Sequence, residues 1–261
     1  MIREPWIELG RGRARLRLPV VYEDRQCLVL DKPAGWLLAP AHWDRTSRNL
    51  TAALMAAIAA GAPWARARQL KFLRFVHRLD AETTGLVLMV KHRNLLDPYT
   101  ALFEERRIHK VYLAVVDRPP RQNEWTATEK IAPSPGRPDR MRVDARHGKP
   151  AETHFRVLAS HPRFTLVEAR PVTGRTHQIR VHLAAAGCPV TGDELYGGRP
   201  ATPAARERFP LALRAVHLAF EQPFTRNWVQ VTAETAEFLS AFGFSTVKWE
   251  PPLSDSESTK D

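Results

Sequence analysis

Residues 75–91, FVHRLDAETTGLVLMVK, place Asp80 where a carboxylate could do chemistry. His77 and Arg78 stand just before it, and a polar turn, Ala81-Glu82-Thr83-Thr84-Gly85, follows. That turn leads into Leu86-Val87-Leu88-Met89-Val90, whose short length and β-branched content predict a buried strand. A carboxylate on the lip of a core strand is well held. Two readings stay open from this stretch alone: a turn cap, the common use of aspartate, and the reacting group of an active site.

Spacing disposes of several other chemistries. His77-Arg78-Leu79-Asp80 is superficially like a kinase catalytic loop, but the Asp falls one place late, no Asn follows at the required distance and no glycine-rich loop precedes it. Phosphotransfer is therefore rejected. His177 and His182 lack the spacing of a zinc-binding helix pair and have no Glu between them, which argues against metal hydrolysis. Cys27 and Cys188, far apart and in apolar surroundings, give neither a disulfide framework nor a zinc site. No Ser or Cys nucleophile with a base partner is encoded locally. What remains is a carboxylate among abundant arginines.

The 261 residues, 44% of them hydrophobic, suffice for one large domain or two small ones with a proper core. Lys and Arg number 39 against 28 Asp and Glu, a net charge of +11. Residues 250–261 carry four acids and one lysine, so residues 1–249 hold 38 basic against 24 acidic side chains, or +14. Such a balance predicts a polyanionic partner bound through phosphates with salt-sensitive affinity; a basic surface kept only for solubility is the alternative. The apolar run 52–60 is far shorter than the roughly 20 residues of a spanning helix. The N-terminus lacks a basic-then-apolar signal pattern. Together with the unpaired cysteines, this predicts a soluble, cytoplasmic protein.

The elements that must position Asp80 follow in chain order. Residues 1–19 carry Arg11, Arg13, Arg15 and Arg17 on one side of an extended chain and are expected to form a basic N-terminal arm. Residues 20–38 read as two strands, VVYED and CLVLDKP, closed by Pro33-Ala34-Gly35. Leu50, Leu54 and Ile58 mark an amphipathic helix ended by Gly61 and Pro63, and Arg66, Arg68, Lys71 and Arg74 form a basic linker running into His77. Asp97 and Pro98 look like a helix cap and first helical position, with Tyr99, Leu102 and Phe103 inward, and residues 110–116 read as a strand. Residues 119–150, rich in Pro, Gly and Arg, predict exposed hairpins and loops.

Strands over 152–159 and 164–171 lead to a helix over 176–186, stopped by Gly187. Ile179, Leu183 and Ala186 form its core face, and His177, Arg180 and Ala184 lie along a side that a cleft could use. Strands over 213–220 and 228–232 and a helix over 233–243 precede an acidic tail, 244–261, expected to be disordered. Many strands with few, irregularly interleaved helices predict an α+β fold with a largely antiparallel or mixed sheet.

Several ordered motifs resemble those of the RluA-type pseudouridine synthases. They are Lys32-Pro33-Ala34-Gly35, His77-Arg78-Leu79-Asp80 with Thr83-Thr84-Gly85-Leu86, and Lys110-Val111-Tyr112-Leu113-Ala114. Further on come Gly174-Arg175-Thr176-His177-Gln178-Ile179-Arg180-Val181-His182-Leu183, Gly192-Asp193-Glu194-Leu195-Tyr196-Gly197 and residues 217–223. The resemblance implies a pseudouridine synthase catalytic domain over 20–243: a largely antiparallel mixed sheet in two lobes, a catalytic cleft between them and flanking helices. Thr84 stands where the family more often has Ser, and keeps a hydroxyl; Cys188 stands where His is frequent, at a peripheral position.

The implied activity is isomerisation of specific uridines in tRNA or rRNA, with no cofactor and no metal, because substrate and product are isomers. Asp80 would be the nucleophile, at ribose C1′ or at uracil C6. Arg180 would pair with it and keep it ionised, and Tyr112 would stack against the target base. A uridine inside folded RNA must leave its stack; Arg78, with a planar guanidinium that can stack on bases, matches the residue associated with that geometry. Val181 is expected near the base or in the core. His77 and His177 would shape hydrogen bonds, and Arg175 joins them in binding substrate. The implied partner is RNA, with no membrane and no obligatory protein partner, for a monomer. The S4-type domain frequent in the family has no room ahead of residue 20, which leaves target choice to the core, the arginine arm and residues 119–150. A non-catalytic RNA-binding or RNA-folding factor of the same architecture is the competing class.

Overall fold

The computed structural model describes residues 4–10, 15–38 and 48–251. Its first half runs β1 (Trp6–Leu9), β2 (Leu16–Glu23), β3 (Cys27–Lys32), α1 (Leu50–Ala59), α2 (Pro63–Ala67), β4 (Arg74–Phe75), β5 (Thr84–Val90), α3 (Leu96–Glu104) and β6 (Ile108–Val116). The second runs β7 (Glu124–Ala127), β8 (Ile131–Ser134), β9 (Arg137–Val143), β10 (Thr153–Ser160), β11 (Thr165–Pro171), α4 (Gln178–Ala185), α5 (Pro203–Arg206), β12 (Leu213–Glu221), β13 (Trp228–Thr232) and α6 (Ala236–Ala241). Among the described residues eleven strands form one sheet in the order β1-β2-β3-β5-β12-β6-β11-β10-β7, with β4 on β5 and β13 on β12; β8 and β9 make a separate ribbon.

Every pairing in the sheet is antiparallel except that of β5 with β12, which is parallel over Arg214↔Thr84 and Ala215↔Gly85. This short seam joins the two halves of a mixed, largely antiparallel sheet, as the α+β reading expects. Gly85 makes the seam possible. Its φ is +110°, and a Cβ there would lie 2.1 Å from the Ala215 carbonyl oxygen, so only glycine lets the two backbones meet.

Strand β5 is buried on both sides, and its side chains alternate between two apolar layers. Leu86, Leu88 and Val90 share one layer with Leu95, Tyr99 and Leu102 around α3. Val87 and Met89 share the other with Leu50 and Leu54 of α1 and Trp64 of α2. Each such side chain contributes about 1.5–3 kcal/mol of burial, so the strand gives the loop before it a rigid base. Helix α1 starts where Asn49 accepts the Ala52 N–H at 2.8 Å, a side-chain cap.

Several boundaries differ from those the sequence suggests. Residues 1–19 do not form a free arm throughout: Ile7, Leu9 and Leu18 are buried, and this alternation pairs β1 with β2. Arg15 and Arg17 flank Glu8, Arg17 at 3.6 Å and also over the Trp6 ring; Arg11 and Arg13 lie outside the described residues. Helix α3 begins at Leu96, after a 3-10 turn at Arg93–Leu95, so Asp97 lies inside the first turn, where its charge suits the helix dipole, and Pro98 follows it. Ala186 ends α4 exposed rather than on the core face. The tail is not disordered from residue 244. Phe244 is buried against His161, and Trp249 donates from Nε1 to the Glu168 carboxylate at 2.7 Å. Residues 252–261 lie outside the described set.

Candidate active site

Asp80 stands between β4 and β5, beside the parallel seam. The neighbouring Ala81 carbonyl accepts two hydrogen bonds, from Lys32 Nζ at 2.7 Å and from the Gly35 N–H at 2.9 Å. Lys32 is fully buried and gives its other protons to the Pro33 and Trp36 carbonyls at 2.9 and 3.0 Å. These acceptors suit an ammonium, while burial presses its pKa down to about 7. Gly35 reaches Ala81 from a left-handed backbone, φ +77°. The Lys-Pro-Ala-Gly motif therefore clamps the residue next to the nucleophile candidate. Thr83 N–H closes the turn on the Asp80 main-chain oxygen at 3.2 Å, so the turn needs no cap from the carboxylate.

The Asp80 carboxylate meets Arg180 instead, Oδ2 to Nη1 at 2.9 Å. On its other edge Arg180 is gripped by Asp193, Nε to Oδ2 at 2.7 Å and Nη2 to Oδ1 at 2.8 Å, a two-pronged contact that fixes the guanidinium plane. The Asp193 side chain is 1% exposed and that of Asp80 27%, which separates an orienting acid from an accessible one. Burial alone would raise the Asp80 pKa. His177, Arg180 and Lys32 more than offset it and hold the carboxyl below its ordinary value. Arg180 stays charged: burial works against it, but the Asp193 hydrogen bond and the Asp80 charge raise its pKa.

His177 caps α4 from a left-handed backbone, φ +55°, an uncommon conformation for a residue with a Cβ. Gln178 holds the loop in that shape. Its buried amide accepts from Thr173 Oγ1 and the Arg175 N–H and donates to the Glu152 carbonyl and Thr153 Oγ1. His177 Nδ1 lies 2.9 Å from Tyr196 Oη, and Oη in turn accepts the Met141 N–H at 2.8 Å. The arrangement that satisfies all three groups has Tyr196 donating to Nδ1, which leaves the proton on Nε2, itself 3.8 Å from Asp80 Oδ1. Burial keeps His177 below its ordinary pKa, so at neutral pH it offers Asp80 an N–H dipole and Arg180 supplies the full charge. Arg180 and Arg140 both sit over the Tyr196 ring, at 5.1 and 5.6 Å.

Asp80, Tyr112, Arg180, Arg78, His77, Arg175 and His177 line one open cleft of about 1050 Å³, a size suited to a nucleoside-sized ligand. Tyr112 is buried on β6, and its pKa is raised by burial and then by the charge of Asp80. Arg78 is exposed. Arg175 reaches the Pro150 carbonyl from Nε at 2.9 Å, which ties the α4 loop to the loop after the ribbon. His77 accepts the Leu88 N–H at Nε2, 2.9 Å, and stacks on Phe103; burial drives its pKa to about 3. Its polar edge is thus engaged in holding β5. Val181 does not reach the cleft: it is buried with Ile131 and Ala151 beneath the β8–β9 ribbon, because α4 turns it away from Arg180. Sequence reasoning assigned no role to Asp193, Tyr196 or Lys32. All three stood inside recognised motifs, but no spacing tied Asp193 to Arg180 or Tyr196 to His177.

Comparison with known proteins identifies the family. Residues 26–185 match the family model described as RNA pseudouridylate synthase. The chain is 35% identical over 231 residues to "Ribosomal large subunit pseudouridine synthase C" of Vibrio vulnificus, covering 87% of this chain and 68% of that protein. To the Escherichia coli protein of the same name it is 34% identical over 230 residues, covering 84% and 67%. It thus spans about two thirds of the length of these relatives. Human RNA Pseudouridylate Synthase Domain Containing 1 superposes with a TM-score of 0.65 at 27% identity over 86% of each chain. Human RNA Pseudouridylate Synthase Domain Containing 4 shares the fold, with a TM-score of 0.70 at 21% identity over 89% of this chain and 94% of that one. On these matches and on the ordered motifs that build the cleft, the chain belongs to the RNA pseudouridylate synthase family.

Proposed function

We propose that this protein converts uridine to pseudouridine in large-subunit ribosomal RNA, as a cytoplasmic monomer, with Asp80 as its nucleophile. The observation that carries this reading is an accessible carboxylate held ionised by Arg180 at the wall of a nucleoside-sized cleft. The names of the relatives support the RNA class. No helix among the described residues is long and apolar enough to cross a membrane.

In the proposed reaction Asp80 attacks ribose C1′ or uracil C6, the C1′–N1 bond breaks, the uracil turns so that C5 bonds to C1′, and the bond from the Asp80 oxygen to carbon breaks to restore the carboxylate. The C5 proton leaves and N1 gains one, so no atom or electron is lost overall. Arg180 and the His177 Nε2–H keep the carboxylate ionised before attack, and Tyr112 supplies the stacking wall. Arg78 at the exposed rim fills the gap left by the extruded base, whose unstacking costs a few kcal/mol. Arg175 contacts the neighbouring phosphates. A purely RNA-binding protein would have no use for an ionised acid beside that wall.

The test is to map pseudouridines in ribosomal and transfer RNA from cells with and without the gene, by carbodiimide adducts that stop reverse transcription. Loss of one or more sites in large-subunit ribosomal RNA is expected. An unchanged map of that RNA overturns the assignment of substrate.

A further inference from the structure

The linker that carries Lys71 and Arg74 toward Asp80 builds a second concavity, of about 710 Å³, beyond the catalytic cleft. Arg25, Lys71, His92 and Arg93 line it and are all exposed. Phe72 forms part of its wall, with the Arg93 guanidinium 5.8 Å over the ring. None of these four basic side chains is paired with an acid among the described residues. The nearby acids are engaged elsewhere: Glu23 bridges Arg68 at 3.0 Å and Lys91 at 2.6 Å. The Asp24 carboxylate accepts the Gln26 and Cys27 N–H groups, both at 2.7 Å, and the Tyr22 hydroxyl at 2.9 Å. Asp24 also lines the concavity, but Arg25, Lys71 and Arg93 outnumber its single charge, so the site stays positive.

Position gives the concavity a purpose. Lys91, His92 and Arg93 follow the C-terminal end of β5, whereas Asp80 precedes its N-terminal end. Lys71 and Asp80 lie on one continuous segment that can span at most about 30 Å, with the exposed Arg74 and Arg78 between them. At roughly 3.4 Å per step, one strand of a duplex covers that distance in about nine nucleotides. Gln222 hydrogen-bonds the Asp24 carboxylate and so brings the turn after β12 to the same end of the sheet; there Phe224 is 58% exposed. Cations beside accessible aromatic rings suit an RNA strand, which offers phosphates and bases together.

We infer that this concavity is a second RNA-binding site, which takes the backbone phosphates of the substrate strand at a distance from the target uridine, with Lys71, Arg74 and Arg78 marking the path between the two. The inference rests on the proposed RNA substrate but not on the chemistry at Asp80.

The test compares wild-type protein with the triple variant Arg25→Gln, Lys71→Gln, Arg93→Gln, and with a control, Arg163→Gln, Arg199→Gln, Lys248→Gln, which removes equal charge from positions lining neither cavity. The probe is unmodified large-subunit ribosomal RNA transcribed in vitro, with Kd measured against salt. Loss of three phosphate contacts should lower the slope of log K against log salt by about 2 to 3 and weaken binding at least tenfold at low salt, while the control changes less than twofold. Single-turnover pseudouridine formation at saturating protein should be unaltered in the triple variant. Equal weakening in variant and control, or an unchanged slope, overturns the second site. Absence of pseudouridine formation by the wild type would instead overturn the proposed function, and the binding comparison would still stand.

Discussion

Tyr196 Oη and His177 Nδ1 lie 2.9 Å apart, and through that contact the β8–β9 ribbon is joined to Asp80, the proposed nucleophile. Met141 of the ribbon donates to Oη, and His177 Nε2 faces Asp80 at 3.8 Å. Tyr196→Phe keeps the ring beneath Arg180 but removes the donor that fixes the imidazole tautomer. A neutral hydrogen bond is worth about 1 kcal/mol, so single-turnover isomerisation should fall about five- to tenfold, with RNA affinity unchanged. Nitrogen NMR of His177 should show loss of the Nε2–H tautomer. An unaltered spectrum and rate would show that the hydroxyl serves the fold alone.

Asp193 should matter almost as much as Arg180. It provides two of the contacts that hold the guanidinium and is itself buried. Asp193→Asn leaves a buried cation short of one counter-charge, a loss on the order of 3 kcal/mol when such a pair is broken. The melting temperature should drop by several degrees and the single-turnover rate by roughly a hundredfold, with Kd for RNA nearly constant. Loss of affinity without loss of rate would contradict an orienting role.

The pH dependence follows from the lowered Asp80 pKa. A depressed carboxyl stays ionised until the pH falls below its ordinary value of 3.8, so Asp80 should add no inflection to the single-turnover rate between about pH 7 and 5. The same group contributes stability above its unfolded pKa, and that stability is lost as pH falls through the lower folded value. His177, held below its ordinary pKa, should add no inflection near neutrality. In Arg180→Gln burial acts with less opposition, so the acid limb should move upward. A wild-type limb near pH 6 would contradict the electrostatic account.

Gly85→Ala tests the seam. The added Cβ would meet the Ala215 carbonyl oxygen at 2.1 Å and its nitrogen at 2.7 Å, and the φ of +110° disfavours any side chain. Destabilisation of about 3 kcal/mol or more is expected, measured by denaturant unfolding. A melting curve like that of the wild type would show that β5 and β12 can separate freely.

Much of this fold was legible because its strands follow hydrophobic pattern. The run 86–90 reads as a buried strand and is one, and Leu50, Leu54 and Ile58 mark α1 correctly. The parallel seam was not legible, since it depends on how closely two backbones approach, which only Gly85 hints at. Asp80 and Arg180 were brought together by motif order, but the clamp on Ala81 by Lys32 and Gly35 needs coordinates, because carbonyl acceptors leave no mark in side-chain identity. Of the two places left open for Val181, near the base or in the core, the structure takes the core. Residues adjacent on a helix point about 100° apart, so the neighbour of a cleft residue belongs to a different surface.

Whether Asp80 is the nucleophile is decided by release of tritium from ribosomal RNA labelled at uracil C5, by the native protein and by Asp80→Asn. The variant is nearly isosteric and can still contact Arg180, but its amide cannot attack carbon. The native protein should release label in step with pseudouridine formation, while Asp80→Asn binds the same RNA and releases none. Release by Asp80→Asn at a rate near that of the native protein would contradict the account.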